Sequence, residues 1–159
     1  MKSTPDLSDE FPEALALQPI LTNYGGKLSF WGSIETLQCP DDNSLIKEQL
    51  NTEGNGKVLI VDAGGVNTVA LLGDLIAEAG EKNNWSGIVI NGYIRDVDII
   101  RTLDIGVQAL GTYPVKSNKR GLGKLGIAIS FGGLTFKPGQ YVYADNNGLL
   151  LSEIELNSP

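Results

Sequence analysis

Arg95 and Asp96 stand side by side, and this pair carries the most informative chemistry in the chain. A guanidinium offers a planar fork that grips a carboxylate at two points. An aspartate beside it can hold Mg²⁺ or Mn²⁺, ions that take one or two protein carboxylates and fill their other positions with water and substrate oxygens. Upstream, Gly73-Asp74-Leu75-Ile76 opens a helical pattern. The first amides of a helix lack internal partners and carry partial positive charge, so they suit an anion. Together these groups describe a pocket for a small carboxylate that chelates a metal, as a 2-oxo acid does through its keto and carboxylate oxygens. Each piece also has an ordinary structural reading. Arg95 can pair with a surface acid, Gly73 can be a simple N-cap, and Asp62 can merely turn the chain after its strand.

The elements that must position these residues follow from the hydrophobic pattern. Residues 57–61 (KVLIV) and 87–90 (GIVI) are short apolar runs between turn signals, the mark of strands buried in a sheet. If they are parallel, the segments after them, Asp62-Ala63-Gly64-Gly65 and Asn91 to Asp96, share the carboxyl edge of one sheet, where open α/β folds collect ligands. A helix is expected from Asp74 to about Asn83, with Gly73 at its cap and Leu75, Ile76 and Ala79 on one stripe. Further helices are expected over 44–51, capped from Asp41-Asp42-Asn43, and over 96–103. Residues 28–39 (LSFWGSIETLQC) and 106–110 read as strands, and 68–72 (TVALL) as strand or helix. After Leu125 only short strands remain, at 125–130, 134–136, 141–143 and 149–151, separated by glycine-containing turns. The basic segment 116–124 (KSNKRGLGK) reads as a mobile solvated loop, with an anion grip as the alternative. The mixture predicts one α/β domain over 1–159, with 1–20 as an N-terminal arm or short helix and 154–159 as a C-terminal tail.

Composition removes whole classes of chemistry. The chain has 159 residues and no histidine, which excludes Ser-His-Asp triads, Cys-His dyads and imidazole-bound metals. Its single cysteine, Cys39, excludes an intrachain disulfide and a CxxC pair, and a free thiol fits a reducing, cytoplasmic setting. Nineteen acids against 12 bases give a net charge of −7, a poor match to a nucleic-acid backbone. The acidic, proline-broken start has no signal-peptide core, and no run reaches the ~18 apolar residues of a membrane span. Neither phosphate-binding fingerprint is present: GxxxxGK[ST] is missing, and AGGVNT lacks the third glycine of GxGxxG.

The ordered set of 23–43 (NYGGKLSFWGSIETLQCPDDN), 57–65 (KVLIVDAGG), 70–80 (ALLGDLIAEAG), 85–100 (WSGIVINGYIRDVDII), 104–114 (DIGVQALGTYP) and 131–153 (FGGLTFKPGQYVYADNNGLLLSE) resembles the RraA-like family. That family includes the regulator of ribonuclease activity A and metal-dependent 4-hydroxy-4-methyl-2-oxoglutarate aldolases. The resemblance implies a swivelling-type β/β/α sandwich or barrel, assembled as a homotrimer with active sites between subunits. It also implies that Gly73, Asp74, Leu75 and Ile76 bind the pyruvyl part of a 2-oxo acid, with Arg95 on the substrate and Asp96 on a divalent metal. Asp98 completes an Arg-Asp-x-Asp run, whereas the aldolase pattern has an acid one residue further, where this chain has Ile99. Two functions are implied: a metal-dependent aldolase with oxaloacetate decarboxylase activity, or a protein that binds and inhibits an endoribonuclease.

Overall fold

The computed structural model describes residues 1–156. In chain order its elements are α1 (Thr4–Glu10), β1 (Leu15–Ala16), β2 (Thr22–Asn23), β3 (Phe30–Gln38), α2 (Ser44–Leu50), β4 (Val58–Asp62), α3 (Asp74–Lys82), β5 (Gly87–Ile94), α4 (Val97–Ile100) and β6 (Gly106–Thr112). The remainder is all strand: β7 (Lys124–Leu125), β8 (Ile129–Phe131), β9 (Leu134–Phe136), β10 (Tyr141–Asp145) and β11 (Gly148–Ser152). Of the expected C-terminal tail, residues 157–159 lie outside the described residues.

Strands β3, β4, β5 and β6 are neighbours in that order and all parallel, with α2, α3 and α4 as successive crossovers. The unbroken apolar runs VLIV and GIVI are what a sheet buried on both faces requires. Leu59, Val61, Ile88, Ile90 and Val107 face Ile46, Leu50, Ala77 and Ile100 of the crossover helices. The alternate residues Ile34, Val58, Ile60 and Val89 face Phe131, Phe136, Val142, Leu149 and Leu151 of the later strands. The fold is therefore α/β in three layers: helices, parallel sheet and a mostly antiparallel β layer. Strands β10, β11 and β1 extend the sheet antiparallel from the first half of β3, and β2 closes the far edge on β6.

Glycine is demanded where Phe30 crosses the strand starts. Gly87 and Gly106 are register partners, and a Cβ on either would stand 2.3 and 2.1 Å from the Phe30 ring. The N-terminal arm is bound to the body: Thr4 donates from its N and Oγ1 to Asp145 at 2.8 and 2.7 Å, and Leu15 and Ala16 pair with β11.

Several local expectations change. Residues 68–72 form neither strand nor helix, although Ala70, Leu71 and Leu72 are buried. Their backbone is held by single bonds, Ala70 N to Val115 O at 2.6 Å and Leu71 N to Tyr93 O at 2.8 Å. Strand β5 runs to Ile94 across an irregularity between Ile90 and Tyr93, so Asn91 to Ile94 belong to the sheet. The expected helix over 96–103 shrinks to α4, since Asp96 at its cap is left-handed. The run 125–130 splits around Gly126, whose φ is +72°. The basic segment 116–124 is no free loop. Asp42 Oδ2 accepts from Arg120 N and Leu122 N at 2.7 and 3.1 Å, Ser44 Oγ accepts from Gly121 N at 3.0 Å, and Arg120 pairs with Asp41.

Candidate active site

Asp62 ends β4, and Asp42 and Asp96 lie just beyond β3 and β5, so all three reach the carboxyl edge of the parallel sheet. Their surroundings differ. Asp62 Oδ1 accepts from Gly64 N at 2.8 Å and Asn91 Nδ2 at 2.9 Å, so this residue forms a turn and ties it to β5. Asp42 is completely buried. Its Oδ1 accepts from Ser44 N at 2.9 Å and from the Ser44 hydroxyl, doing the capping that Asn43, at the N-cap position of α2, does not do. Burial alone would push the Asp42 carboxyl up, but the hydrogen bonds from Ser44, Leu122 and Arg120 outweigh it and hold the group well below the usual carboxylate range.

Asp96 keeps most of its hydrogen-bonding capacity. It is exposed, left-handed at φ +60° and ψ +34°, and its Oδ2 accepts from Asp74 N at 3.2 Å. Left-handed backbone is uncommon outside glycine, though aspartate tolerates it better than most residues. The conformation turns Asp96 back over Gly73, the N-cap of the nine-residue α3. A Cβ on Gly73 would lie 2.8 Å from Asp96 Oδ2 and 3.8 Å from Arg95 Nε, so glycine here is the condition for both side chains to approach the helix start. Arg95 N donates to Leu72 O at 2.9 Å and Arg95 Nη1 to Pro114 O at 3.2 Å. Among the described residues Arg95 makes no ion pair, which sets aside its reading as half of a surface salt bridge. Asp98 points elsewhere, into an exposed pair with Arg101.

These residues line one cleft of about 330 Å³. Gly73, Asp74, Leu75, Ile76, Arg95 and Asp96 are brought together there, as the sequence reading expected. Leu75 N donates to Asp74 Oδ1 at 3.0 Å, so part of the helix start is already answered by a carboxylate. The same cleft holds residues that sequence reasoning did not assign to it: Asn43, Lys47, Lys116 and Lys119. The signal for two of them was the basic segment itself. Asn43 gave none, because its position reads as an ordinary cap. It is 5% exposed, and its Oδ1 accepts no hydrogen bond from any described residue.

The donor set bears on a metal. Among the described residues no cluster of three or more acids or cysteines forms a cage. One exposed carboxylate held in place by a backbone amide, with Asp74 adjoining it, fits an ion such as Mg²⁺ that retains much of its water. Cys39, by contrast, is buried at its strand end, and burial together with Asp42, Asp62 and Asp41 pushes its thiol up to about 12, which suits packing and not nucleophilic attack. Among the described residues, no helix is long and apolar enough to cross a membrane.

The sequence profile of the family described as RraA-like, Aldolase/RraA, matches residues 4–151. A Pseudomonas aeruginosa protein named "Putative 4-hydroxy-4-methyl-2-oxoglutarate aldolase" is 54% identical over 157 residues, covering 98% of this chain and 97% of that one. A solved structure described as the RNA-processing inhibitor RraA from Thermus thermophilis superposes with a TM-score of 0.95 at 37% identity, covering 99% of this chain and 96% of that one. Another, described as an S-adenosylmethionine:2-dimethylmenaquinone methyltransferase from Geobacillus kaustophilus, gives 0.96 at 41% identity, covering 99% of both chains. With the profile spanning nearly its whole length and relatives above half identity, this chain belongs to the RraA-like family.

Proposed function

We propose that this protein is a divalent-metal-dependent lyase that cleaves 4-hydroxy-4-methyl-2-oxoglutarate into two molecules of pyruvate, and decarboxylates oxaloacetate at the same cleft. The observation that carries this reading is the convergence, on Gly73 at the start of α3, of an exposed carboxylate and a guanidinium that makes no ion pair among the described residues. The three names borne by its relatives show that the fold alone does not choose among activities, so the choice rests on the cleft.

Arg95 would grip the substrate's C1 carboxylate, aided by the amides at Leu75 and Ile76, with the substrate oxygen replacing Asp74 Oδ1 at Leu75 N. Asp96 would hold the cation, which supplies a Lewis acid to the neighbouring keto oxygen. In the retro-aldol reaction the C3–C4 bond breaks. Its electron pair moves toward C3 and the keto group, the C4 hydroxyl loses its proton, and C3 is then protonated. Fixed positive groups beside the keto acid lower the barrier as that negative charge develops. Oxaloacetate loses CO₂ to leave the same carbanionic fragment, and no hydroxyl need be deprotonated. No step needs histidine, which the chain does not have.

A homotrimer with this cleft at a subunit boundary is part of the proposal. It is supported by apolar side chains that the single chain leaves open: Leu75 in the cleft is 74% exposed, and Val115 and Ile99, close in the chain to the cleft residues Lys116 and Asp96, are 49% and 45% exposed. A second reading, stoichiometric inhibition of an endoribonuclease, is favoured by the likeness to the Thermus protein and by the net charge of −7, which suits a basic partner segment.

The deciding experiment follows pyruvate release from both substrates with Mg²⁺, with Mn²⁺ and with chelator. We expect metal-dependent release that Arg95→Ala and Asp96→Ala abolish while the assembly stays intact by light scattering. Release that ignores the chelator or both substitutions overturns the site. No release, together with one-to-one inhibition of a ribonuclease, establishes the second reading instead.

A further inference from the structure

We propose that Lys116 and Lys119 form a subsite for the substrate's second carboxylate, so that the cleft selects 2-oxo acids bearing an acid group beyond the pyruvyl end. The inference rests on the reading above and names what that reading leaves open, the group that recognises the far end of the substrate.

Charge is the first observation. The chain carries 12 cations against 19 acids, yet Lys47, Arg95, Lys116 and Lys119 all line one cleft, opposed there by Asp74 and Asp96. Among the described residues none of these four cations makes an ion pair. Gathering four cations against two acids is unfavourable, and an anion in the cleft relieves it. Arg95 and the start of α3 answer one carboxylate, which leaves the lysines for another.

The second observation is that the lysines stand on a fastened backbone. Arg95 Nη1 donates to Pro114 O at 3.2 Å, and Ala70 N to Val115 O at 2.6 Å, just before Lys116. Asn43 N donates to the buried Ser117 Oγ at 3.3 Å, and Asp42 anchors Arg120 and Leu122 just beyond Lys119. A segment tied before, between and after its two lysines is a built wall. Holding the backbone in advance reduces the entropy lost when the lysines close on a ligand. The buried Asn43 Oδ1 on the same cleft lacks a donor among the described residues. A C4 hydroxyl next to the second carboxylate supplies one.

The two substrates respond differently to such a subsite. In 4-hydroxy-4-methyl-2-oxoglutarate the far carboxylate keeps its charge throughout cleavage. In oxaloacetate it must lose that charge as CO₂, so a lysine pairing with it stabilises the ground state more than the transition state.

The test measures calorimetric binding of 2-oxoglutarate, which has the second carboxylate but no C4 hydroxyl to cleave, against pyruvate, both with Mn²⁺. It compares the wild type, Lys116→Ala/Lys119→Ala, and the charge-retaining Lys116→Arg/Lys119→Arg, and it also measures kcat/KM for both substrates. We expect the wild type to bind 2-oxoglutarate at least tenfold more tightly than pyruvate and the alanine variant to lose that preference. We also expect the aldol-to-decarboxylation ratio of kcat/KM to fall at least tenfold, with the arginine variant restoring most of both. Equal weakening of the two ligands, no weakening at all, or a wild type without the preference overturns the subsite. If the wild type prefers 2-oxoglutarate but releases no pyruvate from either substrate, the subsite stands and the proposed reaction falls.

Discussion

Asp42 and Asp96 are the same residue at comparable places, each on a loop beyond a parallel strand, and they are used in opposite ways. Asp42 is buried, and donors from Ser44, Arg120 and Leu122 take up its oxygens. Asp96 is exposed and accepts one long hydrogen bond, on a backbone turned into the left-handed region. A carboxylate whose lone pairs are all answered by its own chain holds structure together. One that the fold strains into place and leaves open is available to a ligand. The contrast explains how Asp42 can fasten the lysine-bearing wall of the cleft while Asp96 stays open to the cleft itself.

The sharpest way to break this comparison is to remove one charge from each acid. Asp96→Asn should lower kcat/KM by about a thousandfold, as loss of a preorganised electrostatic group does, with little change in the unfolding midpoint. A variant that loses stability and keeps its turnover would reverse the assignment.

Asp42→Asn should do the converse and destabilise by about 1.5–3 kcal/mol, the range for hydrogen bonds to a charged group. The native Asp42 carboxyl lies below its unfolded value, so its stabilisation is present above about pH 4 and fades as the pH falls from there toward the native value. Urea unfolding of wild type and variant should therefore differ most at neutral pH and converge in acid. Asp145 adds to the same acid loss. Burial raises its carboxyl, but donors from Thr4 and Asn147 outweigh that and lower it.

Gly73→Ala sharpens the point further. The new Cβ meets the end of the Asp96 side chain, 2.8 Å away, which can swing aside at little cost in stability. The carboxylate then leaves its place, and turnover should fall about tenfold, in keeping with the penalty for small misplacements. Smallest of all, Asp98→Asn should leave kcat within about twofold, since among the described residues Asp98 pairs with Arg101 at the surface, away from the cleft.

Much of this was legible in advance. Apolar runs without alternation mark β4 and β5 as buried, and the parallel pairing that the structure adds is what puts Asp62 and Arg95-Asp96 on one edge. The stripe of α3 and its glycine cap were equally plain. Local patterns misled where long-range contacts decide. Residues 68–72 carry strand-like side chains, yet their backbone partners come one at a time from Tyr93 and Val115. The segment 116–124 has the composition of a solvated loop, and residues some eighty positions away in sequence, Asp42 and Ser44 among them, fasten it.

Residue types and their periodicity by themselves determined the α/β class, the absence of imidazole chemistry and the candidate pair Arg95-Asp96, since these depend on composition and near neighbours. Which aspartate is saturated and which is open was decided only by the tertiary structure, as was the gathering of Lys47, Lys116 and Lys119 around that pair. A carboxylate's availability depends on the donors that reach it through space, and those donors come from parts of the chain that meet only once it has folded.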